Sequence, residues 1–410
     1  MLPTGPGAVL ELIRTGRATT RGELIAHLGW SRVTLGRRLD ELVGAGLIVS
    51  GGQLDSSGGR PPERLAVNKD AGVLLALDIG GSHTRIGLTD LVSNVLEEDE
   101  ADIGNEDGPD DIFEWALQVW DFLLARVGRT RADVRGIGIG VPGPVDPRTG
   151  ELGAGQPDRR WEGVRVSRYF EGFDAVFALD RDVNVHAVAE SRVGWPTYSD
   201  LLVVKAGIGL SCAIVSGGRI VRGARGGAGQ LSAPRTGVDQ PLRELQVTAS
   251  GAVVRDRLAR DGIAARTSAE IVALAQSGDR TTEEALVEMG TRLGSALAEV
   301  VGILNPEAVI IGGNLADAGD RFLSAVRAEL LGTALPYARR GLVIEKSRLG
   351  DRAGVRGAAL IAQDALFDAD RVDRLMAERT ERADRSVGAE AYPWHPLSSN
   401  TVQKSGQRIW

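Results

Sequence analysis

Apolar residues recur at helical spacing near the start of the chain. Val9, Leu10, Leu12 and Ile13 form one stripe, which Gly16 ends. Thr20 and Glu23 then match a capping box, in which the hydroxyl accepts from one amide and the carboxylate reaches back to another. The pattern predicts a second helix running to Leu28, with Leu24, Ile25 and Leu28 inward and Gly29 making a turn. Ser31 is placed to cap a third helix carrying Arg32, Thr34, Arg37 and Arg38, with Val33, Leu35, Leu39 and Leu42 as its apolar residues. Helix, tight glycine turn, helix is helix-turn-helix geometry. Its polar first turns suit base edges and its arginines suit phosphates. Two short strands, 47–49 and 64–67, flank a Gly- and Pro-rich stretch and read as a β-hairpin wing with a flexible tip. Arg60, followed by Pro61 and held extended, suits a narrow minor groove. A helical protein-interaction head with a loose linker is the alternative reading of residues 1–68.

From residue 70 to 367 strand and helix signals alternate, which makes the class α/β. The apolar run 73–77 leads into Asp78-Ile79-Gly80-Gly81-Ser82-His83-Thr84, and residues 84–89 read as its hairpin partner. An amphipathic helix is expected at 112–124 and a buried strand from Gly136 into Gly143-Pro144. Residues 176–179 form a further strand that ends at Asp182-Val183-Asn184, before a helix over 186–192. Strands 201–204 and 211–215 make a hairpin about Gly207-Ile208-Gly209, and 308–311 runs into Gly312-Gly313. Glycine turns after hydrophobic strands suit an anion-binding cleft between two lobes, although singly they are weak signals.

Charge divides along the same line. Residues 1–68 carry a balance of +2, the remainder −9, for a total of −7 over 410 residues. Only the head is suited to a polyanion, and the body should be repelled by phosphate backbones. No apolar run reaches the roughly 20 residues needed to cross a bilayer, and the first residues lack a signal-peptide pattern, so no membrane is expected and the cytoplasm is the expected compartment. Cys212 is the single cysteine and is expected to be small and buried; it cannot form an intrachain disulfide or supply a structural zinc site. His27, His83, His186 and His395 show no ligand spacing. No metal and no cofactor is expected.

The chain resembles the ROK family (repressor, open reading frame, kinase) from about residue 8 to 367. The resemblance rests on Gly58-Gly59-Arg60-Pro61-Pro62, the Asp78 turn, Gly140-Val141-Pro142-Gly143-Pro144, Asp182-Val183-Asn184 through Glu190, the glycine-rich stretch 223–229, and Leu304-Asn305-Pro306-Glu307 with Gly312-Gly313. It implies a two-lobed actin-like ATPase (sugar-kinase-like) fold behind a winged helix-turn-helix. Family members with such a head resemble sugar-responsive transcription factors, and those without it resemble sugar kinases.

The resemblance also implies a sugar site, much altered here. Asp182 falls on the position of the general base. The neighbouring sugar-binding Asn is Arg181, whose guanidinium only donates. A Glu and a zinc-binding His of the family become Gln230 and Ala233, a second sugar-binding Glu becomes Gln246, and the family's cysteine cluster is missing. Ala206 lacks the hydroxyl expected to meet a phosphate; Lys205 is expected solvated at a strand end, its compensation as a point charge being the alternative. Asp78, Gly80, Gly81, Ser82 and Thr84 retain the first phosphate loop. Each mismatch costs about 1–3 kcal/mol when buried. No residue is therefore expected to be catalytic, Asp182 being a vestigial base or simply a helix cap.

The leading expectation is a DNA-binding regulator, a repressor, acting as a homodimer or higher homo-oligomer on an inverted-repeat operator of double-stranded DNA. A sugar-related effector would contact Arg181, Asp182, Asn184, Gln230 and Gln246. A ligand-independent regulator with a scaffold body and a sugar kinase of altered preference remain open. Residues 368–410 depart from the family pattern: a charged helix fits 371–385, and a partly disordered tail or one docked on a partner subunit is expected.

Overall fold

The computed structural model of the chain describes residues 5–53, 63–153, 158–232 and 244–385. The head comprises α1 (Pro6–Arg14), α2 (Arg21–Leu28), α3 (Arg32–Gly44), β1 (Ile48–Gln53) and β2 (Glu63–Val67). The local signals act as their chemistry dictates. Thr20 Oγ1 accepts from the Glu23 amide at 3.3 Å, and the Glu23 carboxylate accepts from the Thr20 amide at 3.0 Å. Gly29 turns the chain in the left-handed region at φ 67°, and Ser31 Oγ accepts from the Thr34 amide at 3.1 Å. β1 and β2 pair antiparallel, with Ile48 opposite Val67. The tip that carries Arg60 and Pro61 lies outside the described residues. Of the apolar residues of α3, Leu35, Leu39 and Leu42 are buried, whereas Val33 is 83% exposed.

The first lobe is built from β3 (Val73–Ile79), β4 (Thr84–Asp90), β5 (Val95–Ala101), α4 (Pro109–Arg126), β6 (Val134–Val141), β7 (Val176–Arg181) and α5 (Asp182–Ala189). α5 begins at Asp182 itself, earlier than the sequence pattern placed it, and ends in a π turn, Glu190–Gly194. The second lobe contains β8 (Leu201–Ala206), β9 (Leu210–Ser216), β10 (Arg219–Ile220), α6 (Gly251–Arg260), α7 (Ser268–Gln276), α8 (Arg280–Leu304), β11 (Ala308–Gly312), α9 (Asp320–Thr333) and β12 (Val343–Lys346). α10 (Arg352–Leu366) and α11 (Ala369–Arg385) complete the described chain.

The two sheets repeat one topology. Their strand orders are β5-β4-β3-β6-β7 and β10-β9-β8-β11-β12. In each, the first strand is central, pairs antiparallel with its hairpin partner, and pairs parallel with a strand that returns by a crossover. β3, at the centre of its sheet, and β11, beside the central β8 of the other, are buried along their whole length, as expected of strands covered on both faces. α10 covers β3, β6 and β7, while α5 packs on β8 and β9 and crosses α10. At that crossing a Cβ on Gly357 would lie 1.7 Å from the Val185 carbonyl oxygen, so only glycine permits the contact. Among the described residues no helix is long and apolar enough to cross a membrane.

The head and body share a core rather than meeting through a loose linker. Val9, Leu10 and Ile13 of the head cluster with Leu74, Leu91 and Val176 of the body and with Phe367, Val372, Leu375 and Met376. The charged helix expected over 371–385 is present as α11, while the tail beyond it, 386–410, lies outside the described residues. α11 docks on α1 of the same chain. Asp373 accepts from the Gly7 amide at 2.7 Å, and Arg379 donates to the Gly44 carbonyl at the end of α3 at 3.2 Å. Asp364 of α10 pairs with Arg14 of the head and with Arg192 of the π turn, at 2.9 and 2.6 Å.

Candidate functional site

The duplicated topology brings three strand or helix ends together. Asp78 lies near the end of β3, Lys205 near the end of β8, and Asp182 opens α5. Lys205 Nζ sits 3.2 and 3.3 Å from the Asp78 carboxylate oxygens and 3.1 Å from Asp182 Oδ2. His186, one turn along α5, places Nε2 3.0 Å from Asp78 Oδ2. Lys205 is thus not a solvated strand end: its side chain is 13% exposed, against 5% for Asp78. The ammonium has two carboxylates across the cleft, and the pairing repays its burial. Burial alone would raise the Asp78 pKa, but Lys205 and His186 outweigh it and hold the carboxyl well below the usual range. Burial would lower the Lys205 pKa, but Asp182 and Asp78 push it up to about 12. A Cβ on Gly354 would lie 2.0 Å from Asp78 Oδ2, so α10 closes the remaining side of the site.

This arrangement uses up the groups a kinase would need. Asp182 takes Lys205 on one oxygen and the Val183 amide, at 2.7 Å, on the other. In the first glycine turn the Gly80 amide bonds the His83 carbonyl, and the Thr84 hydroxyl donates to the Ile103 carbonyl at 2.7 Å. Gly81 is exposed and Ser82 is half-buried. A Cβ on Gly81 would come within 3.8 Å of the Ile208 side chain, so the two glycine turns face each other closely. The Gly207 and Ile208 carbonyls accept the Gly251 and Ala252 amides at 2.9 and 3.0 Å. The amino end of α6 is therefore committed to the loop and not free for a phosphate.

The expected effector ligands are arranged differently from the pattern the sequence suggested. Arg181 is buried, and its Nη1 donates to the Ala228 carbonyl at 2.6 Å, so the guanidinium is turned into the protein. Asn184 is buried too and donates to Asp180 at 2.6 Å. Asp180, which the sequence reading overlooked, also accepts from the Arg181 amide and from Arg222. Asn184 Oδ1 and Arg181 Nε are buried with no protein partner. Gln230 is exposed, and the Gln246 amide donates to Glu244. The backbone brings Gln230 and Gln246 onto adjoining segments through the Leu245 amide and Leu231 carbonyl. The structure thus gathers Asp78, Asp182, Lys205 and His186 into one network, and Arg181 with Asn184 around Asp180. Two cavities, of about 240 Å³ beside Arg85 and Glu98 and about 130 Å³ beside Gly46 and Leu366, lie elsewhere.

The donor set does not fit zinc. Burial pushes the Cys212 thiol up to about 12, and among the described residues no three His, Cys, Asp or Glu side chains gather as metal ligands. The model of the ROK family matches residues 74–365, spanning both lobes and the cleft between them. The chain belongs to the ROK family. A xylose repressor of Caldicellulosiruptor bescii is 28% identical over 380 residues, covering 87% of this ROK chain and 95% of the relative. Among solved structures, a ROK family transcriptional regulator, a homologue of the E. coli MLC protein, covers 91% of this chain and 98% of its own with TM-score 0.74 and 23% identity. A ROK glucokinase from Streptomyces griseus, in complex with glucose and AMPPNP, covers 72% of this chain and 100% of its own with TM-score 0.61 and 23% identity. The two structures support the fold.

The other candidate face of this ROK protein is α3. Ser31, Arg32, Val33, Thr34 and Arg37 are exposed along it. Arg37 lies 3.4 Å from Glu41, and Arg38 is held to the same carboxylate at 3.0 Å. Arg38 is therefore a less available phosphate ligand than the sequence pattern suggested.

Proposed function

We propose that the chain is a DNA-binding transcriptional repressor and not a sugar kinase. The observation that carries this is an exposed α3 on a winged head, attached to a body whose own Lys205 is clamped between Asp78 and Asp182. The similarity to xylose repressors along most of the chain, head included, supports the same reading. Ser31, Arg32, Thr34, Arg37 and Arg38 on α3, with Arg60 and Pro61 on the wing, are proposed as the DNA contacts. Two copies would place two α3 helices in successive major grooves of an inverted repeat. A sugar-related effector, suggested by the relatives' names, would act from the cleft around Asp182, Gln230 and Gln246 by favouring one head arrangement over another. A scaffold-only body is the second reading, favoured by Arg181 and Lys205 turning inward.

Genome-wide mapping of bound sites, followed by fluorescence anisotropy on the recovered duplexes, tests the first reading. A repressor should bind those duplexes at least about a thousandfold more tightly than random DNA. Equal affinity for both would refute it. Thermal shift against xylose, other sugars and sugar phosphates separates effector control from scaffold. Arg181→Asn sharpens that comparison: gain of neutral-sugar binding supports a remodelled cleft, and no change supports the scaffold.

A further inference from the structure

α3 turns Leu35, Leu39 and Leu42 into the head core and leaves Val33 and Arg37 on the opposite face, with half-buried Gly36 on the flank beside Val33. Val33, the second residue of the helix, exposes 83% of a β-branched apolar side chain. Gly36 stands one turn later in the helix interior, where a Cβ would meet no heavy atom within 4 Å. Nothing within the described chain calls for glycine there, and glycine weakens a helix relative to alanine. Both choices are unfavourable for the head alone, and the two are neighbours on the helix surface. A partner that offers an apolar projection and needs close backbone approach makes sense of both. In a major groove the apolar projection is the thymine 5-methyl group. Arg32 and Arg37 flank the pair, so phosphates on either side would be met by positive charge.

We propose that Val33 is a specificity-determining residue that packs on a thymine methyl in each half-site, and that Gly36 lets α3 lie close enough for that contact. The inference rests on the DNA-binding reading above.

The test uses the full chain and a duplex selected by it from a random double-stranded library. Each thymine of the half-site is replaced in turn by deoxyuridine, which removes only the methyl group, and affinity is read by anisotropy at fixed salt. At one thymine per half-site the wild type should lose about fourfold, the worth of one buried methyl. Val33→Ala should lose a similar factor on the thymine duplex and be indifferent to uracil at that position. Val33 is exposed, so the variant should melt with the wild type. Gly36→Ala should melt higher than wild type yet bind about tenfold more weakly, a combination that damage to the fold cannot give. The inference is overturned if the half-site has no thymine, or if no uracil effect disappears in Val33→Ala. It is also overturned if Gly36→Ala binds like wild type. A library that yields no preferred sequence refutes the DNA-reading function itself, and this contact with it.

Discussion

Replacing Lys205 by methionine keeps most of the side chain's length and removes its charge. Lys205 Nζ lies 3.1–3.3 Å from two carboxylates, and all three side chains are at most 13% exposed. At an effective dielectric of about 20, each such pair attracts by roughly 5 kcal/mol before desolvation is subtracted. Removing one member of a buried ion pair typically costs about 3–5 kcal/mol, because the partner is left charged and unpaired. Lys205→Met should therefore lower the melting temperature by about 6–10 °C, at roughly 2 °C per kcal/mol. The loss should depend on pH. In the wild type Asp78 is held well below its ordinary value. Its contribution is thus present above about pH 4 and is lost as pH falls further. Without Lys205 the burial of Asp78 is opposed chiefly by His186, and its folded pKa rises. An acid whose folded pKa exceeds its unfolded one loses stability as pH rises. The gap between wild type and variant should then already be present at pH 4, shrink as pH falls below it, and widen as pH rises toward 8. The Lys205 pKa of about 12 keeps its own charge constant over that range. Adding Asp78→Asn should recover part of the loss at pH 8, Asp182 staying unpaired. Lys205→Met within about 0.5 kcal/mol of wild type at every pH from 5 to 8 would refute the buried bridge.

Other outcomes follow from the same structure. Incubation with ATP and glucose or xylose should give no sugar phosphate in a coupled assay, and a turnover of roughly 1 per second or more would overturn the reading of the cleft. Thr20→Ala removes the acceptor of the Glu23 amide and should cost about 1 kcal/mol in urea unfolding. Ending the chain after residue 368 removes Val372, Leu375 and Met376 from the core they share with Val9 and Leu10. At about 1.5–3 kcal/mol per buried side chain, the head should then exchange its amides well before the body, as hydrogen-exchange mass spectrometry would show.

How much the sequence disclosed depended on how far apart the interacting residues are. Thr20 and Glu23, Ser31 and Thr34, and the β3–β4 and β8–β9 hairpins are local, and each was legible because a few adjacent residues decide it. The outward position of Val33 also follows from local spacing. It lies two residues from Leu35, about 160° around the helix from the Leu35, Leu39, Leu42 stripe. Lys205 could not be read, since its partner Asp78 is 127 residues away and a lone lysine at a strand end carries no mark of what faces it. The docking of α11 hid in the same way. A charged helix over 371–385 is legible, but its docking is not, because the face that packs on α1 is answered by residues at the other end of the chain, as in the Gly7–Asp373 bond across 366 positions. The inward turn of Arg181 was equally invisible, because its acceptor is a backbone carbonyl, and every residue has one of those.

The presence of two carboxylates in this cleft has a physical explanation in the network. Once a lysine occupies position 205, Asp78 and Asp182 are its counter-charges across the cleft. Losing either would leave the buried ammonium with half its compensation, and losing the lysine would strand both acids. The three positions are then coupled, so a single substitution at any of them is costly whether or not sugar is ever phosphorylated. An aspartate at the base position is therefore no evidence of catalysis here. What discriminates is the partner: an Asp182 free to accept from a substrate hydroxyl would support a base, whereas an Asp182 bonded to Lys205 and to the Val183 amide supports a strut between the lobes.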